Sequence, residues 1–430
     1  MIVAALGLTT LPVPAEDFES DLTFKTEIGI KETYDSNVFL QDRDPLPGNV
    51  AAAQAAWLMP VEANKGSLVT SILPKLALDY KPCPEFNVSF GYAPEIVEYH
   101  SASSEDYITH RGTLNFNGKL GDASWELLNT VTYIDGGKEG PTFARPDDIP
   151  AIGGIPLRDR RAAFIDRNSF RFTQPVGKWF FRPVASVYVH DFKTDQHANT
   201  HSSIYSYENY IDRQEVAGGL DIGYEVFKDT HFVLGYRYGQ QNQFNLLTAK
   251  SPYSNDYQRF LAGVEGKPTS WLKLAFLAGP DERSWDHRTP VGFDRNKNLY
   301  FLDFSATVTP SKCDTLTLKS TRFEQPAFSS FSMYEDAKTE LSWKHQFSEQ
   351  FSATLGFTLY IGDWQVPAKR DDWVYTPSLA LNYAFDKHLS AEFAYSYDWV
   401  DSRISSAVEH LSKSHEFTRN LVSLGMKYSF

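Results

Sequence analysis

Val422, Leu424, Met426, Tyr428 and Phe430 are apolar, and Ser423, Gly425, Lys427 and Ser429 between them are small or polar. A β-strand turns successive side chains to opposite faces, so this alternation predicts a strand with one apolar and one wet face. The pattern recurs upstream. Phe24, Ile28 and Ile30 share a face opposite Lys25, Glu27 and Lys31, and Leu76, Leu78 and Tyr80 stand opposite Lys75 and Asp79. Phe86, Val88, Phe90 and Tyr92 form another stripe, as do Trp125, Leu127, Val131 and Tyr133. Val216, Leu220, Ile222 and Tyr224 alternate with Glu215, Asp221 and Glu225. The clearest stretches are Phe351, Ala353, Leu355, Phe357 and Leu359, then Leu389, Ala391, Phe393, Tyr395, Tyr397 and Trp399. Helix is expected only as two turns over 51–58, where five alanines precede Trp57 and Leu58. Pro74 is expected near a strand start or at a weakly paired position, because it has no N–H to give a ladder.

The connections between stripes are of two kinds. Tight links are predicted at 81–84, 120–123, 176–178, 228–229, 266–270, 310–312, 348–349 and 386–387. Longer polar links fall at 35–66, 100–104, 136–160, 193–206, 245–254, 284–296, 324–330, 363–370 and 401–414. Short and long alternate without a break. A soluble sandwich has no reason to gather its long loops at one end, whereas transmembrane barrels have short periplasmic turns and longer external loops. The expected fold is all-β: a transmembrane antiparallel barrel of about 18 strands, with short periplasmic turns and long extracellular loops. Residues 1–15 are expected to be a secretory signal, apolar from Ile2 to Leu8 with Val13-Pro14-Ala15 before Glu16, and possessing no Lys or Arg ahead of the apolar segment. Residues 16–430 are expected to form one outer-membrane barrel domain.

Composition sharpens this picture. Aromatics reach 15%, with 31 Phe, 23 Tyr and 9 Trp, as in barrels whose aromatics gather at the membrane interfaces. Mean hydropathy is only -0.37, and no run of about 18 apolar residues marks a membrane-spanning helix. The net charge of -13 argues against a nucleic-acid partner. Two cysteines, Cys83 and Cys313, cannot make a disulfide framework and are expected not to pair.

If the apolar stripes face lipid, the opposite parity faces a lumen. The lumen-facing candidates are Lys75, Asp79, Arg167, Arg171, Arg182, Glu215, Asp221, Glu225, Arg237, Arg259, Glu265 and Lys273. Each Arg or Lys held against hydrocarbon at mid-bilayer would cost roughly 2–4 kcal/mol, so a shared parity for both signs argues for a hydrated interior. These charges either pair across strands or contact a translocating polymer. A barrel of about 18 strands leaves an aqueous channel unless a segment fills it; loops 35–66 and 136–160 are the candidates for a constriction, and folding inward and standing outward as a lid are equally consistent with the sequence. No Gly-x-Ser-x-Gly elbow appears, and His197 and His201 sit four apart in a polar loop rather than on a helix. The segment 294–298 lacks the Gly and terminal Glu of a calcium loop. No catalytic, cofactor or metal residue is assigned, and the chain is not read as an enzyme.

Ser423, Gly425, Tyr428 and Phe430 resemble the carboxyl-terminal signal recognised by the outer-membrane barrel-assembly machinery of Gram-negative bacteria. Tyr34-Asp35-Ser36-Asn37-Val38-Phe39-Leu40 is similar to the Tyr-Asp-x-Asn signature of the β-barrel porin 2 family, which includes barrels encoded with exopolysaccharide assembly genes. That resemblance implies a role in polysaccharide export, with polysaccharide and a periplasmic export partner beside the outer-membrane lipid. Asp35 and Asn37 also suit a turn or cap where a strand breaks into a loop, and are not read as a binding site. Sugar-stacking aromatics on lumen parity, Tyr188, Phe301 and Tyr360, would favour saccharide passage. A general diffusion porin for small hydrophilic solutes and a closed structural or adhesive barrel are the alternatives; a narrow charged eyelet would favour the first, a filled interior the second. Nothing in the sequence marks a subunit interface, which favours a monomer over a trimer.

Overall fold

The computed structural model describes residues 21–38, 40, 66–136, 162–193, 196, 211–285, 289, 291–326, 333–365, 370–404 and 417–430. The predicted signal and the helical turns at 51–58 lie outside these residues. The first strands are β1 (Asp21–Asp35), β2 (Ser67–Cys83), β3 (Phe86–Tyr92), β4 (Glu95–Tyr99), β5 (Tyr107–Leu120) and β6 (Ala123–Gly136). Then come β7 (Ala163–Val176), β8 (Trp179–Phe192), β9 (Arg213–Phe227) and β10 (Thr230–Gln243). A separate hairpin, β11 (Asn245–Leu246) with β12 (Ala249–Lys250), occupies the link predicted at 245–254. The wall resumes with β13 (Asn255–Thr269), β14 (Leu272–Trp285), β15 (Asn296–Val308), β16 (Asp314–Pro326) and β17 (Met333–Gln346). It ends with β18 (Phe351–Trp364), β19 (Arg370–Ala384), β20 (Leu389–Ile404) and β21 (Thr418–Ser429).

Every wall strand is antiparallel to its neighbours, and β1 pairs with both β2 and β21, which closes the sheet. The sheet has 19 segments, of which β3 and β4 are one wall strand interrupted at Ala93-Pro94, so the closed barrel has 18 strands. The interruption explains Pro74. It lies inside β2 opposite Ile28, but on its other side β3 pairing stops at Leu76 and β4 pairing begins at Ile72. A residue without an N–H therefore sits at the gap in the ladder. All eight tight links are the turns of one barrel end. Cys83 and Cys313 lie at two of these turns as free thiols.

The sheet is packed inside out relative to a soluble protein. Leu22, Phe24, Ile28, Ile30 and Tyr34 of β1 are exposed, as are Leu341 and Trp343 of β17 and Leu424, Met426 and Tyr428 of β21. One parity of each strand thus forms an apolar belt, and the concave side collects the other. Which side is concave follows from a contact. Arg182 of β8 and Glu265 of β13 are separated by β9 and β10, yet they form a two-bond ion pair. Three strand spacings amount to about 14 Å, and side chains reach across that distance only inside the curve of the wall.

Candidate functional site

Charged side chains on the concave face of β8–β14 are held against one another. Arg182 donates through Nη1 and Nη2 to the two oxygens of Glu265 at 2.8 and 2.7 Å, and through Nε to Asp221 Oδ2 at 3.1 Å. Arg237 Nη1 lies 2.7 Å from Asp221 Oδ1. A planar guanidinium suits such forked pairing, which gives Glu265 two donors from one arginine. The Arg182 guanidinium also lies over the Phe180 ring, 4.7 Å from its centroid. Phe180 in turn lies flat over Gly223, where a Cβ would come within 2.0 Å of the ring.

A second cluster lies toward the long-loop end. Tyr257 donates its hydroxyl to Glu215 Oε1 at 2.6 Å, and Gln241 Nε2 donates to Glu215 Oε2 at 2.9 Å. Arg283 donates to Gln241 Oε1 at 2.7 Å and to Asp281 Oδ2 at 2.8 Å, and Arg259 Nε donates to that same Asp281 oxygen at 3.0 Å. Arg259 is sandwiched between Tyr257 and Phe301, 4.1 and 4.5 Å from the two ring centroids. Asp281, Arg283 and Tyr257 are all buried. Burial on this scale needs paired charges, because an unpaired ion out of water is strongly disfavoured.

Above this cluster the lumen narrows. β15 and β16 stay in register only as far as Leu302 opposite Arg322, although both continue. Beyond that point the β16–β17 tip leaves its neighbour and meets the wall at β9 and β10. Arg213 of β9 donates through Nη1 to the Pro326 carbonyl at 2.8 Å, and Gln241 of β10 donates to the Glu324 carbonyl at 3.2 Å. β10, β13, β14 and β15 intervene between β9 and β16, so the tip crosses part of the lumen. Met333 packs with Tyr253, Trp285 and Phe293 in a small apolar core that anchors it. The sequence offered loops 35–66 and 136–160 as the candidates for a constriction. Nearly all of their residues lie outside the described set, and the narrowing that is described comes from the β16–β17 tip. Local alternation could not reveal this, because it says nothing about where two strands part.

A closed 18-strand wall with an apolar exterior and charged interior pairs its strand backbones with one another, as hydrocarbon requires. The chain is an integral outer-membrane β-barrel.

No family model matches the sequence, and no curated protein matches it. Solved outer-membrane barrels are similar to it in structure. They include the outer membrane protein OpdK from Pseudomonas aeruginosa, at 10% identity and TM-score 0.42, covering 95% of this chain and 99% of that one. The anion-selective porin from Comamonas acidovorans has 12% identity and TM-score 0.40, covering 96% and 100%. The FrpB iron transporter from Neisseria meningitidis has 9% identity and TM-score 0.47, covering 94% and 82%. At such identities the likeness says nothing of a substrate.

The remaining residues singled out by sequence are dispersed over the barrel. Lys75 lies 3.7 Å from Glu27, which Lys427 approaches at 3.9 Å. Arg171 pairs with Glu126 at 2.5 Å and stays exposed, while Arg167 lies over the Tyr188 ring, 5.2 Å from its centroid. Glu225 accepts from the Asp229 N–H in the β9–β10 turn. Asp79 and Lys273 stand apart from both clusters. Ser423, Gly425 and Tyr428 lie in β21 opposite Thr33, Lys31 and Ile28 of β1, with Tyr428 and Phe430 exposed on the apolar side. The pair His197 and His201 lies outside the described residues. Among the described residues, no group of three or more His, Cys, Asp or Glu is placed to hold a metal ion.

The Asp35-Ser36-Asn37 segment makes the barrel seam. Asp35 Oδ1 accepts from the Asn37 N–H at 2.9 Å, the turn expected of it. Asp35 also takes a forked pair from Arg419 of β21, at 2.9 and 2.5 Å. Asn37 Nδ2 donates to the Thr418 carbonyl, and the Asn420 N–H donates to Ser36 Oγ. The sequence reading did not single out Arg419. Its parity, shared with Ser423, Gly425 and Lys427, was the available signal.

Proposed function

We propose that the barrel is a channel for small hydrophilic solutes, narrowed near its long-loop end by the inward β16–β17 tip. The observation that carries this reading is the Arg213–Pro326 hydrogen bond across the lumen, with Gln241 bonded to Glu324 beside it. A side-chain-lined narrowing selects by size and charge. Toward the tight turns, a cavity of about 650 Å³ is lined in part by Lys81, Asn117, Lys119, Glu126 and Arg171, which is space for a small polar solute. Conduction along such a wall needs no catalytic group.

The polysaccharide export implied by the Tyr34–Leu40 resemblance fits this interior less well. Of the aromatics that would stack on sugars, Phe301 is covered by Arg259 and Tyr188 by Arg167 and Arg213. Tyr360 is buried. The test is single-channel conductance of the refolded barrel in a planar bilayer, with and without neutral and anionic oligosaccharides. Stepwise conductance indifferent to oligosaccharide is expected, and larger steps are expected from Arg213→Ala, which frees the tip. Steps blocked by oligosaccharide would replace this reading with saccharide passage. A folded barrel without conductance would leave a structural role.

A further inference from the structure

The outer face of the barrel carries polar side chains where lipid tails should lie. On β6 the outward residues run Trp125, Leu127, Asn129, Val131 and Tyr133, and on β7 they run Phe164, Asp166, Asn168, Phe170 and Phe172. Asn129 is four residues from each of the aromatics that bracket it. At about 3.3 Å per residue and a tilt near 40°, it lies roughly 10 Å inside either edge of the apolar belt. Headgroups and water do not reach that depth.

Three side chains bond to one another there. Asn129 Nδ2 donates to Asp166 Oδ1 at 2.6 Å and to Asn168 Oδ1 at 2.7 Å, and Asn168 Nδ2 donates to Asp166 Oδ2 at 2.9 Å. These bonds use both hydrogens of the Asn129 amide. They leave its carbonyl oxygen and one N–H of Asn168 open toward the membrane. A carboxylate and two amides facing acyl chains have no physical advantage over the Val, Leu and Phe around them. Elsewhere on the same parity, Ser320 and Thr339 form a hydroxyl pair at 2.9 Å, and nearer the long-loop end Arg322 is neutralised by Glu335.

We propose that this patch is where a second copy of the chain docks. An acyl chain cannot hydrogen-bond, so the occupant is protein. The open groups, one amide acceptor and one amide donor, are complementary to themselves. Two copies related by a two-fold axis satisfy them mutually, each supplying what the other lacks. Leu114, Val187 and Val189 stand directly opposite the patch, and the next outward positions are small: Ala185 on β8 with Gly218 beyond it on β9, and Gly112 on β5, where a Cβ would meet nothing within 4 Å. Small residues around polar side chains are how membrane segments pack where no hydrophobic drive exists between them. The dimer departs from the monomer favoured by the sequence.

The test uses the full-length barrel with Cys83 and Cys313 changed to Ser, folded in lipid vesicles at high dilution in lipid. Val187→Cys, opposite Asn168 on β8, is expected to give a cross-linked dimer with a short bis-maleimide. Leu355→Cys, on the outer face of β18, is expected to give none. Adding N129L/D166L/N168L should lower the Val187→Cys yield at least tenfold while the folded band remains heat-modifiable, since Leu suits a lipid-facing site. Equal cross-linking at both positions, no dimer at Val187→Cys, or a yield unchanged by the three Leu substitutions would overturn the proposal. So would Val187→Cys in native outer membranes joining a different protein in place of its own copy.

Discussion

The β8–β14 arc and the β18–β20 arc share one antiparallel ladder and face the same lumen with different side chains, large paired ions on the first and mostly short polar groups on the second. The first presents Arg182, Asp221, Arg237, Arg259, Glu265, Asp281 and Arg283, locked pairwise, with Tyr257 and Phe180 lying along the wall. The second presents mostly short side chains, Ser352, Thr354, Thr358, Thr376, Ser378, Ala380, Ser390 and Ser396, with Asn382, Glu392 and Asp398 among them and Asp398 accepting from Thr376. Large side chains need room, and the first arc finds it by placing glycine beneath them. A Cβ at Gly239 would stand 2.4 Å from the Tyr257 ring. Charge in a channel wall is therefore not the same as charge offered to a solute. Where acids and bases neutralise one another and lose water together, they thicken and stiffen the wall. The short hydroxyl side chains opposite reach less far into the lumen.

This contrast can be broken from either side. The largest effect is expected from Asp281→Ala, which strands the buried guanidinium groups of Arg259 and Arg283. Breaking such a buried network costs about 3–5 kcal/mol, measurable as a lower urea midpoint for unfolding from lipid vesicles. Asp35→Asn at the seam keeps shape but loses the charge that holds Arg419. A loss of about 1.5–3 kcal/mol is expected in the same measurement, with Arg419→Lys also weakened because an ammonium cannot reproduce the fork.

Gly239→Ala should cost about 1–3 kcal/mol by displacing Tyr257, and Tyr257→Phe would not relieve it because the ring remains. On the hydroxyl arc, Ser378→Ala should stay within about 0.5 kcal/mol of the parent. A large effect there would mean that the two arcs are equally tightly packed. The smallest effect is expected at the β19–β20 turn. The N–H groups of Leu389 and His388 hold the exposed Asp386 carboxyl below its usual range. Its stabilising contribution is therefore full above the ordinary carboxylate pKa and fades as pH falls through the lower folded value. Asp386→Asn should remove that acid dependence and little else, as seen by comparing unfolding midpoints between neutral and acid pH.

Much of the barrel was legible without coordinates because a strand exposes one face to each solvent. Once lipid is one of those solvents, apolar and polar positions must alternate, and the tight turns must fall between them. Phe351 to Leu359 and Leu389 to Trp399 announce their strands for that reason, and Pro74 was readable as a weak point in a ladder. The same periodicity placed Arg182, Asp221, Arg237 and Glu265 on one face. It could not show that they meet, since up to two strands and 83 residues separate the partners. Nor could it find Arg419, whose partner Asp35 lies at the other end of the chain, or the tip that leaves β15 at Arg322. Sequence determined the period, the faces and the turns, which depend on neighbours along the chain. Tertiary structure decided the pairs, the seam and the narrowing, because those depend on curvature that brings distant strands within reach.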